Sequence, residues 1–158
     1  YWKFVIALLT LSFAGFITYL FYPAAPPWYA DQRAGLIEIN KVVDYVVKDI
    51  GWGWDFSRIY NSLNPNQVAA MPSLHSAYPW LAFLSLRNFN KKIGYWFLPY
   101  PLLVWLSVVY LGEHYVIDVI AGIIYATVVY LIVYHFDKIK DLFKRTIKPV
   151  QAVDKGKV

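Results

Sequence analysis

Charge is nearly absent from four stretches of this chain, and those stretches carry the first structural prediction. Tyr1–Tyr22 holds one charge, Lys3, and Tyr95–Leu111 holds none. Tyr115–Phe136 has Asp118 near its start and His135 near its end, and the shorter Ser73–Phe89 opens with His75 and closes with Arg87. A bilayer core is about 30 Å thick and a helix rises about 1.5 Å per residue, so Tyr1–Tyr22 is long enough to cross it. Lipid offers no hydrogen bonds to bare backbone, so all four segments are predicted as helices that satisfy their own amides. The short link Gly112–Glu113–His114 makes the last two an antiparallel pair.

The fifty or so residues between the first and second segments are polar by comparison. They open on a rigid turn, Pro23–Ala24–Ala25–Pro26–Pro27–Trp28. In Leu36–Lys48 the apolar positions Leu36, Ile39, Val43 and Val46/Val47 recur at helical period, which predicts an amphipathic helix lying along the membrane interface. Gly51, Gly53, Asn64 and Pro65 then mark loop. The predicted architecture is an all-α integral membrane protein: four spans in a helix bundle, with one interfacial helix.

Basic residues orient it. Arg87–Ile93 carries Arg87, Lys91 and Lys92 without an acid, and the tail from Asp137 carries seven cations against three Asp. In the long loop, Arg33, Lys41, Lys48 and Arg58 are outnumbered by Asp31, Glu38, Asp44, Asp49 and Asp55. Alternating spans gather Lys3, Arg87–Ile93 and the tail on one side, which the positive-inside rule makes cytoplasmic. The long loop and Gly112–His114 then face outward. The expectation is a multi-pass protein of the cell membrane, with residues 1–136 as the membrane domain and 137–158 as a basic cytoplasmic tail.

Composition agrees. Of 158 residues 59% are hydrophobic and 16% charged, against about a quarter charged in an ordinary globular chain. Mean hydropathy is +0.41. The aromatic share of 20% and the lack of low-complexity tracts exclude disorder and a nucleic-acid arm, and the absence of cysteine excludes a disulfide scaffold and a thiol nucleophile. The chain opens at Tyr1 and its one methionine is Met71, so it reads as a piece of a longer protein. Tyr1–Tyr22 lacks the basic start and small-residue cleavage pattern of a signal peptide.

One set of polar groups falls at helix starts on a common side: Ser73 and His75 on the second span, His114 and Asp118 on the fourth. His114 and Asp118 are four apart and share a helix face. A carboxylate there is expected to accept the Nδ1 proton of His114 and leave Nε2 with its lone pair. An acid just inside a membrane helix is costly and reads as functional. Ser73 suits an N-cap, and the outward amides behind it favour an anion. Two histidines around an anion pocket, one backed by a carboxylate, describe phosphoryl transfer through a phosphohistidine.

At these residues the chain resembles a known family. Ala69–Ala70–Met71–Pro72–Ser73–Leu74–His75–Ser76–Ala77 is similar to the second signature of the type 2 phosphatidic acid phosphatase superfamily. Tyr110–Leu111–Gly112–Glu113–His114–Tyr115–Val116–Ile117–Asp118 is similar to its third. Leu74 in place of glycine, with the turn Tyr22–Pro27, resembles the subgroup that includes inositol phosphorylceramide synthases. The resemblance implies a six-span helical core, four spans of it present here, and metal-independent removal or transfer of a lipid phosphate without a cofactor. His114 is then the nucleophile, Asp118 its orienting carboxylate, His75 the general acid and Ser73 a phosphate contact. The lead reading is a lipid phosphatase, with transfer of a phospho-headgroup to a lipid alcohol as the alternative. Lipid phosphate and the bilayer are the expected partners.

The chain departs from the pattern at three places. Val108 stands where the third signature has arginine, Leu74 where the second has glycine, and the Arg-Pro of the first signature is missing. A phosphate needs cations. The candidates left are Arg58, which follows the anchoring Trp52, Trp54 and Phe56, and then Arg33, with Lys41 and Lys48 behind them. His135 reads as an interfacial side chain and Glu113 as an exposed loop acid. Pro79, Pro99 and Pro101 are expected to kink their spans. Two other readings stay open: a metal-dependent hydrolase using His75, His114 and Asp118 as ligands, and a lipid-binding scaffold without turnover.

Overall fold

A computed structural model describes residues 1–34, 69–136 and 140. The proposed interfacial helix 36–48, Arg58, Lys41 and Lys48, and all but one residue of the tail 137–158 lie outside the described residues. Within them the chain is helical: α1 (Trp2–Phe21), α2 (Pro27–Ala34), α3 (Leu74–Phe89), α4 (Lys91–Phe97), α5 (Pro99–Tyr110) and α6 (Val116–Tyr134). One isolated backbone bridge joins Ala24 to Ala69, so the two ends of the long loop leave the bundle side by side. The protein is an all-α integral membrane protein.

Among the described residues, three helical units are long and apolar enough to span a bilayer: Trp2–Phe21, Lys91–Tyr110 and Val116–Tyr134. The second differs from the predicted Tyr95–Leu111. It starts at Lys91, where the Asn90 side chain caps the Lys92 and Ile93 amides at 2.9 and 3.3 Å. It also breaks at Leu98, because Pro99 has no N–H to offer Tyr95; the Leu98 amide takes the Tyr95 carbonyl instead, at 3.2 Å. The expected fourth span, α3, has 16 residues and a length of about 24 Å, shorter than the bilayer core.

That short helix is the centre of the bundle, packing against α1, α4, α5 and α6, while α1 also packs on α6. Its core is small: Ala7 and Leu11 of α1, Ala77 and Leu81 of α3, Ala126 and Val129 of α6. Small residues let helices approach where no hydrophobic effect drives them together. Gly122 is the tightest point, since a Cβ there would overlap the Ser73 carbonyl and the Ser76 hydroxyl. Polar side chains complete the ties: Ser12 to the Tyr78 hydroxyl at 2.9 Å, Thr18 to the Tyr125 hydroxyl at 2.9 Å, and the Trp80 indole N–H to Thr127 at 2.9 Å. The outer faces carry exposed Ile6, Leu9, Phe13, Phe16 and Ile17 on α1 and Ile117, Ile120, Ile124 and Val128 on α6, as lipid contact requires.

Candidate functional site

Both α3 and α6 begin at the same end of the bundle, and their first turns are bonded to each other. The Ser73 amide donates to the Asp118 carbonyl at 3.0 Å. Ser76 Oγ reaches the Ser73 carbonyl at 2.8 Å and the Val119 carbonyl at 3.2 Å. Ser73 caps α3 as its sequence position predicts, its hydroxyl accepting the Ser76 amide at 3.3 Å, and it is fully buried. On the other side, the Tyr19 hydroxyl donates to the Pro72 carbonyl at 2.7 Å.

His114 lies on the tight link between α5 and α6. Gly112 makes the turn with φ of 72°, a left-handed conformation that suits glycine at a helix C-terminus. The amides of Glu113 and His114 then both donate to the Val108 carbonyl, at 3.0 and 3.1 Å. Val108, at the position of the family's arginine, is buried in the bundle and supports the turn through its backbone.

This arrangement brings the two imidazoles together. His75 Nδ1 and His114 Nε2 are 3.1 Å apart and hydrogen-bonded, with one of the two nitrogens donating. His75 is exposed on the first turn of α3, whereas His114 is 6% exposed. Burial holds the His114 ring down to about 4 from its ordinary 6.5, and the neighbouring His75 pushes the same way against the opposing Ala70 backbone. At neutral pH the His114 ring is therefore uncharged, with a nitrogen lone pair available.

Asp118 shares the face of His114 but does not make the hydrogen bond expected from the four-residue spacing. Its Oδ2 is 3.8 Å from His114 Nδ1 and accepts the Tyr115 amide at 2.8 Å. An acid at the third position of a helix folds back onto the free amide at its start, and that contact holds Asp118 away from the ring. His114 Nδ1 is left buried without a hydrogen-bond partner. Among the described residues, no group of three or more His, Asp or Glu is placed to hold a metal ion.

Two residues missed in the sequence hold the link in place. The Trp28 amide donates to the Gly112 carbonyl at 3.3 Å, and its indole N–H donates to Glu113 Oε2 at 3.2 Å. Glu113 is thus half-buried and bonded, where the sequence suggested an exposed acid. The Pro26–Pro27–Trp28 turn was the available signal: Pro27 starts α2, and the tryptophan next to it docks on the loop that carries His114. Arg33 lies on α2, on the same segment as Trp28. The described cations Lys3, Arg87 and Lys91 line cavities at the other end of the bundle, so the site's expected cation is not among them.

A family model described as the PAP2 superfamily matches residues 1–132. The chain is 31% identical over 138 residues to a phosphoinositol dihydroceramide synthase of Bacteroides thetaiotaomicron, covering 78% of this chain and 42% of that protein. It is 27% identical over 147 residues to the inositol phosphorylceramide synthase of Candida albicans, covering 85% of this chain and 28% of the relative. Against the inositol phosphorylceramide synthase catalytic subunit of Saccharomyces cerevisiae it is 26% identical over 136 residues, covering 76% and 31%. The chain thus spans less than half the length of these relatives. No solved structure matches it.

Proposed function

The chain belongs to the PAP2 superfamily, and from that membership we propose that it transfers a phosphate-bearing headgroup from a membrane lipid to the hydroxyl of a second lipid, through a phosphohistidine on His114. The observation that carries this reading is the 3.1 Å contact between the buried, uncharged His114 and the exposed His75. In the first step His114 Nε2 bonds to phosphorus and the bond from phosphorus to the departing lipid oxygen breaks, with His75 giving that oxygen its proton. In the second, the acceptor oxygen bonds to phosphorus, His75 takes the acceptor's proton, and the bond from phosphorus to Nε2 breaks. Atoms and charge balance with no metal or cofactor. A phosphorus atom needs roughly 3 Å of approach on each side, so substrate parts the two rings. His75, exposed on a helix end, is the ring that swings.

The sequence motifs alone favour hydrolysis, with water as the acceptor. The three relatives named as synthases shift the preference to a lipid alcohol, a long-chain ceramide-like hydroxyl, and the donor to an inositol phospholipid. Hydrolysis is the second reading, because the same two steps perform it with water. Arg33 and Arg58 are the proposed phosphate clamps, Ser73 the proposed organiser of the phosphate-facing amides, and the site is proposed to open on the extracytoplasmic side.

The deciding experiment supplies the full-length protein, in vesicles, with an inositol phospholipid labelled in its headgroup phosphate and a ceramide-like alcohol. Label appearing in a new lipid, and absent with His114→Ala, is the expected result. Label released only as a water-soluble phosphate would replace transfer by hydrolysis. No difference between the parent and His114→Ala would end the catalytic reading.

A further inference from the structure

At the end of the bundle away from the histidines, two cavities adjoin. The first, about 550 Å³, is lined by Arg87, Asn88, Phe89, Lys91, Tyr130 and His135. The second, about 690 Å³, shares Asn88 and Phe89 with the first and continues past Lys3, Phe4, Phe97 and Tyr134. No acidic side chain is among the described residues lining either one. Aromatic rings, not carboxylates, hold the polar groups: the Arg87 guanidinium lies 5.7 Å from the centre of the Tyr95 ring, and His135 meets Tyr130 edge-on at 5.9 Å.

The charge here exceeds what the helices themselves neutralise. The C-termini of α3 and α6 each present about half a negative charge, whereas Arg87, Lys91 and Lys3 bring three fixed positive charges to the same end. A polar, cationic chamber that shares Asn88 and Phe89 with a larger, mainly apolar one matches the two-part chemistry of an anionic phospholipid. Inorganic phosphate or a small phosphorylated solute would fill only the first chamber and leave the second without a purpose. Arg87 stands about 18 Å along α3 from His75, so this seat and the histidine pair lie at opposite ends of the helix.

We propose that the two cavities bind an anionic phospholipid of the opposite leaflet, its phosphate against Arg87, Lys91 and His135 and an acyl chain beside Phe4, Phe97 and Tyr134. This lipid is not the one whose headgroup moves. It fastens the junction of α3 and α4 to the ends of α1 and α6, a role that basic pockets between membrane helices fit by chemistry.

The test uses the full-length protein carrying His114→Ala, so that no lipid is turned over. It is offered phosphatidylglycerol and phosphatidylcholine of equal chain length in neutral detergent, and retained lipid is counted by native mass spectrometry. The expected result is about tenfold preference for phosphatidylglycerol, near-equal retention after Arg87→Gln with Lys91→Gln, and preference kept by Arg87→Lys with Lys91→Arg. Excess inorganic phosphate is expected not to displace the lipid. Equal retention by the parent, an unchanged ratio in the Gln variant, or displacement by inorganic phosphate would each overturn the proposal. Should the double variant fail to assemble, His135→Gln is read by the same ratio: a reduced preference supports the seat and an unchanged one overturns it.

Discussion

His75 Nδ1 and His114 Nε2, 39 residues apart in sequence, are held 3.1 Å apart because α3 and α6 start at the same end of the bundle and their first turns share hydrogen bonds. Each ring sits on a different element and has a different environment, one exposed and one buried, so the two respond differently to substitution. His114→Asn removes the proposed nucleophile and is expected to abolish the labelled covalent intermediate with transfer. His75→Asn keeps the proposed nucleophile and loses the proposed proton donor, with an expected fall of about 10² to 10⁴ in transfer and a detectable residue of intermediate where the leaving group departs readily. Alkaline-quenched denaturing gels with labelled lipid, which preserve a phosphorus–nitrogen bond, check both.

The low pKa of His114 has a defined sign. Folding lowers it from 6.5 to about 4, so between these values the unfolded chain binds more protons than the folded one. This contribution to stability is complete above about pH 6.5 and is lost as the pH falls toward 4. The acid limb of kcat/KM is expected near pH 4 instead of 6.5. His75→Gln removes one of the causes that depress the value, so the midpoint for carbethoxylation of His114 is expected to move upward, which a pH series of modification rates reads directly.

Asp118 makes two separable approaches, one to the Tyr115 amide and one to the His114 ring. Asp118→Asn keeps an oxygen for the Tyr115 amide and loses the charge 3.8 Å from His114. Asp118→Ala loses both, and the lost cap alone costs about 1 kcal/mol. The Asn variant is expected to keep its melting temperature and lose more than tenfold in turnover. An Asn variant with full turnover would make Asp118 a helix cap alone.

Gly122→Ala forces a methyl group against the Ser73 carbonyl and the Ser76 hydroxyl. Overpacking of this kind costs about 1–3 kcal/mol, and here it separates the two helix starts that carry the histidines. The expected outcome is a lower melting temperature together with a loss of turnover larger than that of a change in the outer, lipid-facing surface, such as Ile124→Ala.

Trp28→Phe keeps an aromatic ring, though a smaller one, and removes the N–H that reaches Glu113. A hydrogen bond to a charged group is worth about 1.5–3 kcal/mol, so the link carrying His114 is expected to loosen and turnover to fall severalfold with the helices intact. Circular dichroism beside the transfer assay separates the two effects.

The apolar runs made the bundle legible: Tyr1–Tyr22 and Tyr115–Phe136 differ from α1 and α6 by a residue or two at each end. The start of the third segment was hidden because Lys91 and Lys92 look like loop, whereas the Asn90 cap turns them into the first residues of α4. Ser73, His75, His114 and Asp118 could be named from their spacing, since helical period and alternating spans suffice to place them on one side. Spacing could not tell which of two hydrogen bonds Asp118 makes, because the Tyr115 amide and the His114 ring compete for the same oxygen. It was equally silent on Trp28, whose partner lies 85 positions away across the long loop.

At 16 residues, α3 is shorter than the three units of span length, which have 19 or 20, and it carries one of the two histidines at its tip. Flanked by spans that reach the full depth of the membrane, its tip lies below the headgroup plane if its other end, with Arg87, is anchored at the far surface. On the proposed lipid-transfer reading, a recessed tip favours a substrate that reaches the histidines sideways, along the membrane, over one that arrives from the aqueous phase.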